Sequence, residues 1–259
     1  MLFRSDKEMT LEEFFRDNPR AALAFSGGTD SAFLLWAAAR YGAQVRAYFV
    51  KTAFQPAFEL RDAERLAREL SMPMTVVEGD ILAVPGAAEN GPERCYHCKR
   101  ALFTRLTEAA RADGFSLLID GTNASDDAGD RPGMRALREL SVRSPLRECG
   151  LTKEEVRRLS REAGLFTWNK PAYACLATRI PTGTRISRET LEAVEQAEDT
   201  LSALGFSDFR VRVFGGAARI QLTEQQMNRA WEHREEILRT LRPLFPAVLL
   251  DLEPRQPSR

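Results

Sequence analysis

The sequence predicts an α/β fold: a parallel-sheet domain over residues 1–170 and a smaller α+β domain over residues 171–259. Three observations predict it. In the first part, short unbroken apolar runs alternate with stretches of helical periodicity, as strands buried on both faces and their crossover helices do. A long loop rich in Gly, Asn and Asp follows one of those runs, at the strand end where open parallel sheets carry their sites. Beyond about residue 180 the pattern becomes helix, two alternating segments, helix and strand, the texture of a compact appendix.

The elements follow in order. Residues 21–25 (AALAF) form the first buried strand, followed by a glycine-bearing turn and an apolar helix over 32–40. Val45, Ala47 and Phe49 alternate with polar neighbours as a second strand. Residues 58–70 repeat apolar positions at helical spacing, 75–77 read as a third strand, 102–112 as a helix and 115–119 as another buried strand. Residues 121–134 (GTNASDDAGDRPGM) are a loop. Thr152 opens a helix with a capping box closed by Glu155, and Gly164 ends it. In the second domain, residues 187–204 are an amphipathic helix ended by Gly205. Residues 209–213 and 218–222 alternate, 224–241 are helical and 247–252 are a last strand. Trp168 and Trp231 are expected to pack.

The 259 residues carry 37 Lys and Arg against 37 Asp and Glu, so no nucleic-acid partner is expected of so neutral a chain. With 44% hydrophobic and 29% charged residues, a disordered chain is excluded. No apolar run is long enough to span a bilayer, and the start MLFRSDKEMT lacks the apolar core of a signal peptide. The expectation is a cytoplasmic protein with no membrane partner. In a reducing compartment its 4 cysteines point to metal binding, catalysis or burial rather than to disulfides.

The first chemical signal is Ser26-Gly27-Gly28-Thr29-Asp30-Ser31, between a buried strand and an apolar helix. Backbone N–H groups at a helix start bind anions, and glycines let the backbone approach phosphates. Ser26 and Ser31 add hydroxyl donors. Asp30 repels phosphate unless a cation lies between them, which makes it a candidate Mg²⁺ ligand. Asp126, in the loop at a strand's carboxyl end, is a second nucleotide-site candidate.

Cys95 and Cys98 form a CxxC in RCYHCK, readable as half a zinc site, a redox pair or chance. His97 is a further zinc candidate. Cys175 lies in KPAYACLATR, where Lys170 and Arg179 favour a thiolate. Three cysteines with one open position also suit a [4Fe–4S] cluster. Cys149 reads as a buried structural thiol.

The six-residue string resembles the PP-loop, SGGxDS, of the ATP pyrophosphatases, which cleave ATP between the α and β phosphates; no Gly-Lys-Ser/Thr of a Walker A loop follows it. The chain as a whole is similar to one PP-loop family, the LarE sulfur transferases. The matching segments are FSGGTDS (25–31), RCYHCK (94–99), DGTNASD (120–126), RPGMRAL (131–137), SPL (144–146), LTKEEVR (151–157), KPAYACLATRIPTGT (170–184), the stretch over 210–222 and LDL (250–252). The resemblance implies an adenine nucleotide alpha hydrolase-like first domain and a second domain for sulfur transfer and substrate binding.

The resemblance implies ATP and Mg²⁺ as cofactors and a small-molecule nucleotide as substrate. ATP adenylates a carboxylate of pyridinium-3,5-biscarboxylic acid mononucleotide, and sulfur displaces AMP to leave a thiocarboxylate, in nickel-pincer nucleotide biosynthesis. The family has two sulfur routes. In one, the cysteine matching Cys175 attacks, loses its sulfur and becomes dehydroalanine. In the other, three cysteines hold a [4Fe–4S] cluster with an extra sulfide. With Cys95, Cys98 and Cys175 all present, the cluster route is favoured, and Cys175 is essential either way. Arg210 and Arg212 alternate on an expected strand and so share a face; the matching arginines lie near the substrate phosphate, and Arg179 is a further substrate candidate. A homo-oligomer, a hexamer in relatives, is expected. Three departures stand out: Thr29 at the variable loop position, the extra Cys149, and a tail over 253–259 unlike the Gly-Tyr-Arg-Ser-Gly ending of the family. The rival readings are a PP-loop tRNA thiolase, an adenylating synthetase without sulfur chemistry, and a nucleotide- or metal-binding protein without activity.

Overall fold

The computed structural model describes residues 9–126 and 132–256. Residues 127–131 of the expected loop, among them Arg131 of RPGMRAL, lie outside the described residues, as do 1–8 and the tail end 257–259. Two compact units divide the chain: one of residues 1–52, 57–79 and 95–170, the other of 53–56, 80–94 and 171–259. The second unit therefore takes in two earlier segments that the contiguous division expected from sequence leaves in the first.

The first unit begins with α1 (Leu11–Asp17), capped by Thr10 and Glu13 in a reciprocal box. Then come β1 (Arg20–Ala24), α2 (Thr29–Arg40), β2 (Gln44–Lys51), α3 (Ala57–Glu69), β3 (Met74–Glu78), α4 (Arg94–Ala112, whose first residue, Arg94, counts with the second unit) and β4 (Leu118–Ile119). The helices α5 (Pro132–Glu139), α6 (Pro145–Glu148) and α7 (Lys153–Glu162) complete it. The four strands are parallel in the order β3-β2-β1-β4. The α/β class expected from the sequence is the class observed.

Alternation within the strands sends side chains to both faces. Ala21, Leu23, Val45, Ala47 and Phe49 join one core with α1, α2 and α7, while Ala22, Tyr48 and Val50 join another with Leu106 and Ala110 of α4. Each fully buried Leu or Phe contributes about 1.5–3 kcal/mol relative to exposure. Because the chain steps outward from β1 to β3 and then returns to β4 on the other side of β1, the strand order reverses between β1 and β4. In open α/β sheets that crevice, at the carboxyl ends, is where ligands bind.

Three readings differ from the structure. The helix expected over 102–112 begins eight residues earlier, at Arg94, so the CxxC sits in its first turn. The polar RCYHCK start has no apolar stripe to announce it. The strand expected over 115–119 pairs only at Leu118 and Ile119. Part of the loop over 121–134 is helical, since α5 starts at Pro132, a residue suited to a helix's first turn. Cys149 is buried in the first core, as expected, and burial pushes its thiol up to about 11, so it stays protonated at neutral pH.

The second unit holds α8 (Arg188–Ala203), β5 (Arg210–Phe214), β6 (Ala217–Gln221), α9 (Met227–Glu232), α10 (Arg234–Leu241) and β7 (Val248–Leu250). β5 and β6 are antiparallel, and β6 and β7 parallel. Ser187 caps α8 through the Thr190 N–H. The single helix expected over 224–241 is broken at His233. Trp231, expected to pack, is instead 68% exposed, with the Arg234 guanidinium 5.2 Å from its ring. No helix among the described residues is long and apolar enough to cross a membrane.

Candidate active site

Within the first unit, the turn after β1 and the turn after β4 meet. Gly28 is the N-cap of α2, and no side chain caps it among the described residues, which leaves the N–H groups at this helix start directed outward. Ser26 Oγ accepts from the Gly28 N–H (3.3 Å) and lies 3.1 Å from Ser31 Oγ, which in turn reaches the Gly28 carbonyl (3.2 Å). Gly27 has φ +71°, and a side chain there would press on the Glu59 carbonyl and Ala63. This left-handed turn is one that glycine adopts without strain. Thr29 faces inward and donates to the Thr167 carbonyl at 2.7 Å. Lys170 Nζ bonds Asp62 (2.7 Å) and lies 3.4 Å from the Gly27 carbonyl.

The turn after β4 is clamped against this loop. A Cβ on Gly121 would come within 2.8 Å of the Ser31 nitrogen. Asn123, 1% exposed, donates from Nδ2 to Asp30 Oδ1 at 3.2 Å, and its backbone N–H donates to Asp126 Oδ2 at 2.9 Å. Burial raises the Asp30 carboxyl above its ordinary range; the Asn123 bond opposes that rise and the Asp126 charge adds to it. Lys153 and Arg157 of α7 pull it back down. Two carboxylates beside a set of outward N–H groups are the kind of donor set that suits a hard divalent cation. Asp30, Asp126 and the loop residues 26–31 are thus brought together.

Within the second unit, Cys175 is half-buried and precedes a 3-10 turn, Leu176–Arg179, whose Thr178 N–H and hydroxyl both bond the Cys175 carbonyl. The segment around it has little regular structure, and guanidinium groups hold its carbonyls. Arg210 donates to the Ala172 carbonyl (2.6 Å), Arg179 to Ala174 (3.0 Å), Arg94 to Ala177 (3.0 Å) and Arg212 to Thr178 (2.8 Å). Arg210 and Arg212 do project from one face of β5, toward this segment.

Arg179, expected to meet the substrate, is 1% exposed and turned away from solvent. Its guanidinium donates twice to Glu198, at 2.7 and 3.1 Å. Glu198 also accepts from Tyr173 Oη (2.5 Å) and the Val211 N–H (2.9 Å), so a buried carboxylate organises both ends of the Cys175 segment. Burial lowers the Arg179 affinity for its proton, but Glu198, Tyr173 and Cys175 outweigh it and the net shift is upward. Arg210 moves the other way: burial, then Arg179 and Arg255, bring it down to about 10, still charged at neutral pH. Desolvation with Arg179, Arg255 and Arg219 lowers exposed Arg212. Like charges gathered at this density favour an anion.

No family model matches the chain. It is 33% identical to the pyridinium-3,5-bisthiocarboxylic acid mononucleotide synthase of Lactiplantibacillus plantarum, over 95% of this chain and 90% of that protein. The chain belongs to the LarE family. It is also 36% identical to an uncharacterized protein of Synechocystis sp., over 96% of this chain and 94% of that one. A tRNA(Ile)-lysidine synthase of Polaromonas naphthalenivorans is 32% identical over 40% of this chain and 31% of its own length. That partial match supports the PP-loop assignment of the α/β sheet.

For a member of the LarE family the cysteines are arranged as follows. Cys95 and Cys98 are three residues apart on α4, the first exposed and the second half-buried, so their thiols share a helix face. Among the described residues, no three His, Cys, Asp or Glu side chains are gathered as a group able to hold a metal ion.

Sequence reasoning missed Asn123, Gly121, Lys153, Arg157 and Lys170 around the loop, and Glu198, Arg94, Arg219 and Arg255 around the Cys175 segment. Asn123 and Gly121 had a signal, since both lie in the DGTNASD string. Lys153 and Arg157 (LTKEEVR), Lys170 (KPAYACLATRIPTGT), Arg94 (RCYHCK) and Arg219 (the 210–222 stretch) also lie in matching segments, whereas Glu198 and Arg255 had no signal, because their roles depend on contacts far away in sequence. Arg255 lies in the divergent tail, where it bonds Asp208.

Proposed function

We propose that the chain is an ATP-dependent sulfur transferase that adenylates a carboxylate of pyridinium-3,5-biscarboxylic acid mononucleotide and converts it to a thiocarboxylate, in nickel-pincer nucleotide biosynthesis. The 33% identity over nearly the whole length to a synthase of the bisthiocarboxylic product carries this reading. The loop geometry supports it independently, with N–H donors, two hydroxyls and two carboxylates at the reversal point of a parallel sheet.

In this reading the N–H groups at the start of α2, with Ser26 and Ser31, hold the pyrophosphate end of ATP, where charge accumulates as the α–β bond breaks. Asp30 and Asp126 would hold Mg²⁺, which would supply charge neutralisation. A substrate carboxylate oxygen bonds to the α phosphorus, and pyrophosphate leaves with the electron pair of the α–β bridge. The Cys175 thiolate then bonds to the acyl carbon, and AMP leaves with the electrons of the acyl–oxygen bond. Loss of the Cys175 α-proton to solvent, with cleavage of its Cβ–S bond, releases the thiocarboxylate and leaves dehydroalanine. No oxidant or reductant is needed. Arg212, exposed at the edge of the segment, meets the substrate phosphate, and Arg210 behind it adds charge. Arg179 positions the segment.

A second reading has one observation in its favour, the shared helix face of Cys95 and Cys98. In that reading Cys95, Cys98 and Cys175 would hold a [4Fe–4S] cluster, and the cluster would supply the sulfur. The test is pyrophosphate release from ATP on addition of the biscarboxylic nucleotide, with iron and acid-labile sulfide measured on anaerobically purified protein. Substrate-dependent release from the wild type, lost in folded Asp30→Asn, is expected; no release from the wild type would sink the reading. Iron-free active protein supports the cysteine route, and stoichiometric iron and sulfide lost on Cys95→Ala supports the cluster.

A further inference from the structure

The loop after β4 does more than bring a second carboxylate to the site. Every polar group of Asn123 is engaged. Nδ2 donates to Asp30 Oδ1 at 3.2 Å, Oδ1 accepts the Ser125 N–H at 2.9 Å, the backbone N–H donates to Asp126 Oδ2 at 2.9 Å and the carbonyl accepts the Asp126 N–H at 3.3 Å. The side chain is buried, in a turn fixed on three further sides. Ala124 donates to the Leu151 carbonyl (2.8 Å), the Lys153 N–H to Ser125 Oγ (3.0 Å), and Arg147 to the Asp126 carbonyl. Gly121 brings the turn against the backbone of Asp30 and Ser31. One residue thus touches both carboxylates, one through its side chain and the other through its backbone.

We infer that Asn123 is a positioning residue, which sets the spacing and orientation of Asp30 and Asp126 so that together they take a divalent cation bridging to the phosphates of a nucleotide. The Nδ2 bond occupies Asp30 Oδ1 and fixes the carboxylate's rotation, leaving Oδ2 to face the cation. An amide suits the position because it donates to one carboxylate while accepting from the Ser125 N–H, which a second carboxylate does not do. Partners that orient metal-binding carboxylates in this way are typically worth about 10–100-fold in metal affinity. The inference rests on the nucleotide part of the proposed function and is independent of the sulfur route.

The test is Mn²⁺ binding followed by electron paramagnetic resonance, in the presence of α,β-methylene ATP, which resists cleavage between the α and β phosphates. Asn123→Ser and Asn123→Ala are compared with wild type. Serine keeps an acceptor for the Ser125 N–H but is too short to donate to Asp30. Both variants are expected to melt within a few degrees of wild type and to bind Mn²⁺ about 10–100-fold more weakly. Pyrophosphate release should return toward the wild-type rate as Mg²⁺ is raised, a recovery that a merely loosened fold would not show. Wild-type Mn²⁺ affinity in either folded variant would overturn the inference, as would loss of folding in both, which makes Asn123 a structural residue only. If the wild type itself binds no Mn²⁺ with the nucleotide analogue, the nucleotide reading fails and the inference with it. If it binds both but releases no pyrophosphate with the biscarboxylic substrate, only the choice of substrate fails.

Discussion

The 26–31 loop of the first unit and the Cys175 segment of the second are held in opposite ways. The loop is positioned by its own backbone: a buried strand delivers it, a left-handed glycine turns it, and the helix it starts fixes its N–H groups. The Cys175 segment has little regular structure, and four arginines from outside it or at its end grip its carbonyls, with Glu198 buried behind them. A loop carried by contiguous backbone tolerates changes elsewhere in the chain, except where another turn presses directly on it, as at Gly121. A site built from distant charges fails when one of them is removed.

That contrast predicts unequal responses. The largest is expected at Glu198. Replacing it with Ala leaves the Arg179 guanidinium, whose side chain is 0% exposed, without its carboxylate. Breaking a buried pair by removing one partner costs about 3–5 kcal/mol, so chemical denaturation should show a large loss for Glu198→Ala and a smaller one for Glu198→Gln. Equal stability of all three proteins would mean that the segment does not depend on this carboxylate.

A smaller loss is expected where the two turns of the first unit touch. Gly121→Ala forces a Cβ to 2.8 Å from the Ser31 nitrogen, against backbone that cannot swing aside. Overpacking of this kind costs about 1–3 kcal/mol. The loop should shift with it, so nucleotide affinity falls more than stability does; a thermal melt beside a nucleotide titration reads both. Unchanged affinity would show that the loops are not coupled at this contact.

The same contrast explains what the sequence let one read. The parallel sheet, the 26–31 loop and the α7 capping box were legible because each is written in consecutive residues with a local physical signature. α1 was legible in principle, since Thr10 and Glu13 spell the same capping box as Thr152 and Glu155. The start of α4 was not, because a polar first turn carries no periodicity. Arg179 shows the limit most clearly: its nearness to Cys175 in sequence suggested a substrate contact. Its actual partner, Glu198, is nineteen residues away on α8 and gave no signal. Arg210 and Arg212 were readable as a pair because strand alternation puts them on one face, yet nothing in their spacing announced the carbonyls they hold.

The measurement that tests the account most directly is a single turnover with the biscarboxylic mononucleotide and MgATP, comparing Cys175→Ala with wild type. Pyrophosphate and thiocarboxylate are read from the same sample. The account predicts that the variant still releases pyrophosphate, because the phosphate loop does not rely on Cys175, and forms no thiocarboxylate. Thiocarboxylate from the Cys175→Ala protein would contradict it, by showing that sulfur reaches the substrate without this cysteine.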